Sequence, residues 1–322
     1  MAARRLGPKE NMLRVLSRND PEYVPYRQRP RYIPGMTLVS SPDALAPREG
    51  RDIWGVGWQN HGHEWEAYPS FPACHSIEEL VEHPFPDPRA MVAGLPEAIG
   101  KVNRDESLVV VYQPRGLFER SHLLLGMERL LTAWIDYPEE LTVFYDRLAD
   151  YYIEIAKLHL SMGIDAFRLA DDYGTQKSLL VSPEQWRQYI KPGLARWIKV
   201  YKDAGKFFFM HSCGYISWLM DDLVEIGIDM IDSLNPSAGN ELDQWKRKYG
   251  DRISFMGGVD THRVLSRGTP EEVREEVKLR LRQLGDGGGF MLGPDQNIPF
   301  PDRNYQAYLE AAEEYCTYPL RV

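Results

Sequence analysis

Two side chains separated by a single residue, His211 and Cys213, place an imidazole and a thiol at the end of the apolar run Phe207-Phe208-Phe209-Met210. Alternate side chains of an extended chain project to the same side, so the pair can face one point. Imidazole nitrogen and thiolate sulfur are preferred ligands of Zn2+, and a catalytic zinc site takes three protein ligands and leaves one position open. The spacing thus predicts a metal site, provided that a third donor arrives from another part of the chain. Taken alone, a His-x-Cys is more often a packed cysteine beside a hydrogen-bonded histidine. Asp171 and Asp172 end a second apolar run. Because they are adjacent, only one can face inward, where it would act as ligand, general acid or base, or clamp on a cation. Asp-Asp-Tyr-Gly suits a simple turn equally well.

Other polar groups close further runs: Gln113-Pro114-Arg115, Asn235-Pro236, Gly258-Val259-Asp260 and Gly293-Pro294-Asp295-Gln296-Asn297. Weaker candidates are His61-Gly62-His63 and Cys74-His75, which lie in an irregular segment, and Cys316 near the C-terminus. Gly285-Asp286-Gly287-Gly288-Gly289 lacks the Lys and Ser/Thr of a phosphate-binding loop and reads as a tight turn.

The elements that must position these groups follow a rhythm. Short β-rich runs at 36–40, 108–113, 164–170, 206–210, 230–234, 252–257 and 289–292 alternate, from Leu108 onward, with helical stretches. From 138 to 162 the apolar positions Leu141, Phe144, Leu148, Tyr151, Ile155 and Leu158 advance by three or four, which predicts one buried helical face. Ser182-Pro183-Glu184 and Thr269-Pro270-Glu271 are helix starts, each an N-cap followed by proline in the first turn. Strands that alternate with helices pair in parallel, because a parallel neighbour is reached only by a crossover. No G-x-G-x-x-G follows an early strand, so the dinucleotide-binding alternative lacks its signature. The expected fold is a (β/α)8 TIM barrel, with chemistry at the C-terminal ends of the strands. Seven runs are visible, and the eighth strand is expected in the Trp-rich segment around Trp54, Trp58 and Trp65. Repeated prolines break residues 1–105 into short pieces with one helix near 10–17. The chain therefore reads as one domain, 1–322, in which an irregular Pro/Trp-rich N-terminal part caps the βα repeats of 106–322.

The chain has 322 residues with 38 Lys+Arg against 47 Asp+Glu, a formal charge of −9, which provides no electrostatic footprint for nucleic acid or an anionic membrane. Three cysteines lying far apart fit a reducing compartment, and no run approaches the roughly 18 apolar residues of a membrane span. The expectation is a cytoplasmic protein with a small-molecule substrate.

In order along the chain, Asp171-Asp172-Tyr173-Gly174-Thr175-Gln176, Ser182-Pro183-Glu184-Gln185-Trp186, His211-Ser212-Cys213-Gly214, Gly257-Gly258-Val259-Asp260 and Gly287-Gly288-Gly289-Phe290 resemble the uroporphyrinogen decarboxylase superfamily. The likeness is greatest to its corrinoid-dependent methyltransferase branch. Asn11-Met12-Leu13-Arg14-Val15-Leu16 and Gly50-Arg51-Asp52-Ile53-Trp54-Gly55 also fit. The resemblance implies a zinc-dependent methyltransferase that works with a corrinoid carried by a partner protein, with His211 and Cys213 as metal ligands. The branch's third ligand, a distant cysteine, has no counterpart: Gly293-Pro294-Asp295-Gln296 stands there. Either an oxygen ligand replaces that sulfur, with Asp295, Asp171 and Asp172 as candidates, or the metal is lost. A carboxylate in place of a thiolate hardens the site and favours a methoxylated methyl donor over a thiol. On this reading Asp171 and Asp172 are catalytic, Asp295 completes the metal, and Gln113, Arg115, Asn235 and Asn297 orient substrate. The alternative is a decarboxylase of porphyrinogens, whose arginine run is matched in part by Arg27 and Arg31, with Asp52 or Asp171 managing the pyrrole N–H groups. A second alternative is a barrel that binds a small molecule without catalysis.

Overall fold

The computed structural model describes residues 6–28, 32–41, 47–60 and 67–322. His61-Gly62-His63, Trp65 and Arg31 lie outside the described residues. Along the chain, β1 (Met36–Val39) is followed by β2 (Gly50–Arg51), β3 (Gly57–Asn60) and β4 (Ala67–Phe71). Then come β5 (Leu108–Pro114), β6 (Ala166–Ala170), β7 (Phe207–His211), β8 (Met230–Ser233), β9 (Ser254–Val259) and β10 (Phe290–Pro294). The main sheet has seven strands in the order β1-β5-β6-β7-β8-β9-β10. Every neighbouring pair in it is parallel, as the helical crossovers demand.

The seven expected runs all became strands of this sheet; the eighth position is not where the sequence placed it. Tyr26 makes a parallel bridge to Leu292 of β10. Arg27 N donates to Leu292 O at 3.0 Å, and Leu292 N donates to Pro25 O at 2.9 Å. Residues 25–27, upstream of β1, thus cover the β10 edge. The Trp-rich segment instead forms a separate antiparallel sheet, β2-β3-β4. Asp52 N donates to Val56 O and Gly55 N to Asp52 O, both at 2.9 Å, a tight reversal that joins β2 and β3 as antiparallel neighbours.

Parity along the strands decides what fills the barrel. Met36, Leu108, Val110, Ala166, Phe209, Met230, Met256 and Met291 form one buried cluster with Met12, Val15 and Leu16 of the helix Pro8–Ser17, which plugs the N-terminal end. Residues of opposite parity, such as Val109, Val111, Phe167 and Phe208, belong to the outer core beneath the helices. The longest helix is Pro138–Ser161, close to the expected span, with Leu141, Phe144, Leu148 and Ile155 buried. Ser182 caps its helix through Gln185 N at 3.2 Å, and Thr269 and Glu272 form a capping box.

Candidate metal centre

The inward parity that carries Leu108 and Val110, Ala166, Phe209 and Met230 continues, one step nearer the C-terminal ends, to Tyr112, Arg168, His211 and Asp232. The apolar fill of the barrel is therefore replaced at its mouth by a charged layer. Arg168 Nε and Nη2 donate to Asp232 Oδ2 and Oδ1 at 2.8 and 2.7 Å, and the guanidinium lies 4.9 Å over the Tyr112 ring. Asp232 Oδ1 is also hydrogen-bonded to His211 Nδ1. Such a carboxylate fixes the imidazole so that its other nitrogen, Nε2, faces the mouth. There Nε2 lies 3.3 Å from Cys213 Sγ and 3.7 Å from Asp172 Oδ1.

Asp172, His211 and Cys213 offer one ligand atom each within 4.8 Å of one another, and all three are half-buried. Ligand atoms around a tetrahedral zinc stand about 3.5 Å apart, given bonds of ~2.0–2.3 Å. The imidazole-to-sulfur and imidazole-to-carboxylate separations therefore suit the ion without rearrangement. The electrostatics agree. Burial alone would lower the His211 pKa, but the Asp232 carboxylate and Cys213 outweigh it and hold the imidazole well above its usual value. The site thus retains a proton on a nitrogen from which a divalent ion would displace it. Beside it, burial together with Asp172 and Asp171 pushes Glu119 up to about 8. Carboxylates crowded this way favour a cation among them.

The two adjacent aspartates face opposite ways, as parity requires. Asp172 faces the mouth and its Oδ1 accepts Cys213 N at 2.8 Å. Asp171 is fully buried and caps the helix Leu117–Leu125, accepting Phe118 N at 3.0 Å, Glu119 N at 2.7 Å and the Tyr173 hydroxyl at 2.9 Å. Asp295 is not brought to the cluster: its carboxylate accepts Thr261 N at 2.9 Å and Asn235 Nδ2 at 3.2 Å, because its own N is tied to Val259 O at the end of β9. Of the three candidate carboxylates, Asp172 is the one that lies with His211 and Cys213.

The four expected substrate contacts are scattered. Gln113 has the parity opposite to Tyr112 and is 3% exposed, so it lies under the helices and not in the cleft. Asn235 is buried and accepts from Gly214 N and Ser233 Oγ, both at 2.8 Å, which pins the loop carrying Cys213. Arg115 does reach the cleft side, its guanidinium 4.6 Å over the Trp58 ring. Asn297 accepts from Arg27 Nη1 at 3.1 Å. Sequence reasoning missed Arg168, Glu119 and Tyr112, and named Gln296 only as a polar residue after the last run, without a role. An arginine at the centre of Ala-Phe-Arg-Leu-Ala was the available signal, since a charge in a buried parallel strand needs a partner. Gln296 gives no such signal, yet its Nε2 lies 3.4 Å from Cys213 Sγ.

Of the weaker candidates, Cys74 is buried with its thiol pushed up to about 11 by burial and Glu79, which makes it inert, and Cys316 is buried. None of the helices among the described residues is long and apolar enough to cross a membrane.

The chain has relatives. A methylated-thiol–coenzyme M methyltransferase of Methanosarcina mazei is 24% identical over 250 residues, 76% of this chain and 64% of that protein. A methylcobamide:CoM methyltransferase of Methanosarcina barkeri is 25% identical over 165 residues, 51% of this chain and 45% of the relative. The uroporphyrinogen decarboxylase of Psychromonas ingrahamii is 24% identical over 187 residues, 55% of this chain and 49% of that enzyme. The chain thus spans about half to two thirds of the length of these relatives. A solved methyltransferase from Methanosarcina mazei superposes with a TM-score of 0.72 at 18% identity, covering 96% of this chain and 99% of the other, which establishes the shared barrel. Residues 121–315, which hold the Asp172, His211 and Cys213 cluster and five of the seven strands of the main sheet, β6 to β10, match the model of the uroporphyrinogen decarboxylase (URO-D) family, and the chain belongs to that family.

Proposed function

We propose that the protein is a zinc-dependent methyltransferase that moves a methyl group between a small methoxylated substrate and a corrinoid carried by a separate protein. The convergence of Asp172 Oδ1, His211 Nε2 and Cys213 Sγ at the barrel mouth carries this reading. Zinc held there supplies a Lewis acid for the substrate heteroatom. The residues of the chain do the rest. Asp232 sets the imidazole and Arg168 sets Asp232, so the donor Nε2 is aimed before any ion arrives. Cys213 N holds Asp172 against the same loop that carries the thiol. One sulfur, one nitrogen and one oxygen make a harder set than one with two thiolates, which supports an oxygen-bearing methyl donor. In the transfer, the C–O bond of the donor breaks and the oxygen keeps the electron pair and takes a proton from water. Cobalt(I) of the corrinoid gives its own pair to the methyl carbon.

The test is incubation of the protein with a reduced corrinoid protein and methoxylated aromatics, following methylcobalt absorbance. Wild type is expected to carry about one zinc per chain and to methylate cobalt; Cys213→Ser loses both. A zinc-free wild type prepared without chelators, or zinc without methyl transfer from any methoxylated donor, contradicts the proposal.

One observation favours the decarboxylase as a second reading. Arg27 is half-buried beside Asn297, and among the described residues no carboxylate lies within ion-pair range of it, a disposition suited to an anionic substituent of a substrate. Against it, the two carboxylates assigned to the pyrrole N–H groups are already saturated. Asp52 accepts Trp54 N, Val56 N and Trp58 Nε1, each at 3.0 Å, and Asp171 caps a helix. Release of carbon dioxide from uroporphyrinogen, without cobalt methylation, would reverse the order.

A further inference from the structure

The reading above leaves one side chain at the cluster without a role. Gln296 follows β10, and its backbone is clamped to the neighbouring strand end: Gln296 N donates to Thr261 Oγ1 at 3.2 Å, and Thr261 Oγ1 donates to Gln296 O at 3.4 Å. The residue before it is held twice more, through Asp295 N to Val259 O at 3.0 Å and through Thr261 N to Asp295 Oδ1 at 2.9 Å. A loop fixed at both positions aims one side chain, and the Gln296 amide Nε2 comes to 3.4 Å from Cys213 Sγ, a length normal for N–H···S. The other polar neighbour of the sulfur besides His211, Ser233 Oγ, is at 3.9 Å and directs its hydroxyl to Asn235 Oδ1 at 2.8 Å. Gln296 is therefore the neutral donor best placed on the sulfur.

We infer that Gln296 is a positioning residue that donates an N–H···S hydrogen bond to the Cys213 thiolate and so sets how much electron density the sulfur gives to a bound metal ion. The inference rests on the metal site proposed above. A thiolate that accepts a hydrogen bond is a weaker donor, so the ion it holds stays more electrophilic. A neutral amide achieves this without adding a charge to a site already crowded with Asp172 and Glu119. It also does so without filling the position that substrate needs, as a third ionised ligand at residue 296 would.

Cobalt(II) exchanged for zinc makes the sulfur visible, because its sulfur-to-cobalt charge-transfer band moves with the donor strength of the thiolate. The experiment compares the Co(II) forms of wild type and Gln296→Leu, which keeps the side-chain bulk and removes the donor. The expected result is a charge-transfer band in both, shifted to lower energy in the leucine variant, with slower release of the ion to a chelator by about threefold or more. Far-UV circular dichroism and resistance to protease report whether the variant is folded. Should Gln296→Leu aggregate, Gln296→Met supplies the same comparison. A band that is present in wild type and unmoved in a folded variant overturns this inference and leaves the metal site standing. A change confined to the weak d–d bands would make the amide oxygen a ligand and would also overturn it. Absence of any charge-transfer band from wild type removes both the inference and the site.

Discussion

At the scale of single residues, the central dependence is that of His211 on Asp232, and of Asp232 on Arg168. Asparagine at 232 keeps the shape but loses the charge that fixes the imidazole and balances the buried guanidinium. Asp232→Asn is expected to weaken zinc binding by about 10–100-fold and to destabilise the fold by about 3–5 kcal/mol. Competition with a chromogenic chelator and urea unfolding measure the two effects; an unchanged zinc affinity would show that His211 Nε2 needs no partner on its other nitrogen. Away from the mouth, His159 is buried, its Nδ1 2.8 Å from the Tyr201 hydroxyl and its ring stacked on Phe167. Burial holds its pKa down to about 3 against a usual value of 6.5. The unfolded chain therefore binds a proton between those two pH values while the native protein does not. The stability that His159 leaves intact above pH 6.5 is lost as pH falls toward 3, by about 2 kcal/mol at pH 5. Urea unfolding at pH 7.5 and pH 5 should show that slope in wild type and a flatter one in His159→Gln. Legibility was uneven at this scale. His211 and Cys213 could be read because two residues of one strand face share a spacing. The third donor could be narrowed only to Asp171, Asp172 and Asp295, and the sequence reading put Asp295 on the metal, since parity selects one of two neighbours without saying which and nothing local shows where the loop after β10 turns. Arg168 and Asp232 were visible as charges inside apolar strands, but their pairing joins β6 to β8 across β7, and no local pattern encodes that.

At the scale of elements, the loops after β6 and β7 must touch for Asp172 to reach Cys213. Glycine at both contact points permits this. Gly214 has φ +80, and a Cβ there would stand 2.4 Å from the Gly174 carbonyl carbon. At Gly174 a Cβ would stand 2.7 Å from Cys213 O. Gly214→Ala should therefore cost at least about 2 kcal/mol of stability and separate the carboxylate from the thiol, lowering zinc content in the protein that remains folded. Full zinc occupancy in a folded Gly214→Ala would mean that the seam does not position the ligands. The strands of the main sheet were legible to within two residues, because each was an apolar run bounded by turn signals and, from β5 onward, separated from the next by a helical stretch. The eighth position was not legible. Residues 25–27 contribute one bridge, too short for any periodicity, and the Trp-rich stretch that drew the expectation carries its apolar residues as a hairpin that packs Trp54 against Tyr151 and Phe85.

At the scale of the whole molecule, the barrel has two unlike ends made by one alternation. Methionine, leucine and phenylalanine fill the inward positions near the plugged end, and the same parity delivers Tyr112, Arg168, His211 and Asp232 to the mouth. The sequence reading reached this polarity from the strand ends, since parallel strands deliver all their C-terminal residues to one side. It placed Gln113 there too, which fails because Gln113 has outward parity. The irregular first third does more than cap: Asp52, held in the β2–β3 turn, binds the Trp58 indole, and Trp58 carries Arg115 on its face. The antiparallel hairpin thus supplies the aromatic face on which Arg115 rests.

The account stands or falls on a divalent ion held by one imidazole, one thiolate and one carboxylate. X-ray absorption at the zinc edge of the purified protein reads both the ion and its neighbours. The account predicts about one zinc per chain, with a single sulfur at ~2.3 Å and the remaining neighbours nitrogen or oxygen at ~2.0–2.2 Å, and the zinc itself lost in Cys213→Ser. Zinc with no sulfur neighbour in wild type, or zinc fully retained in Cys213→Ser, would contradict it.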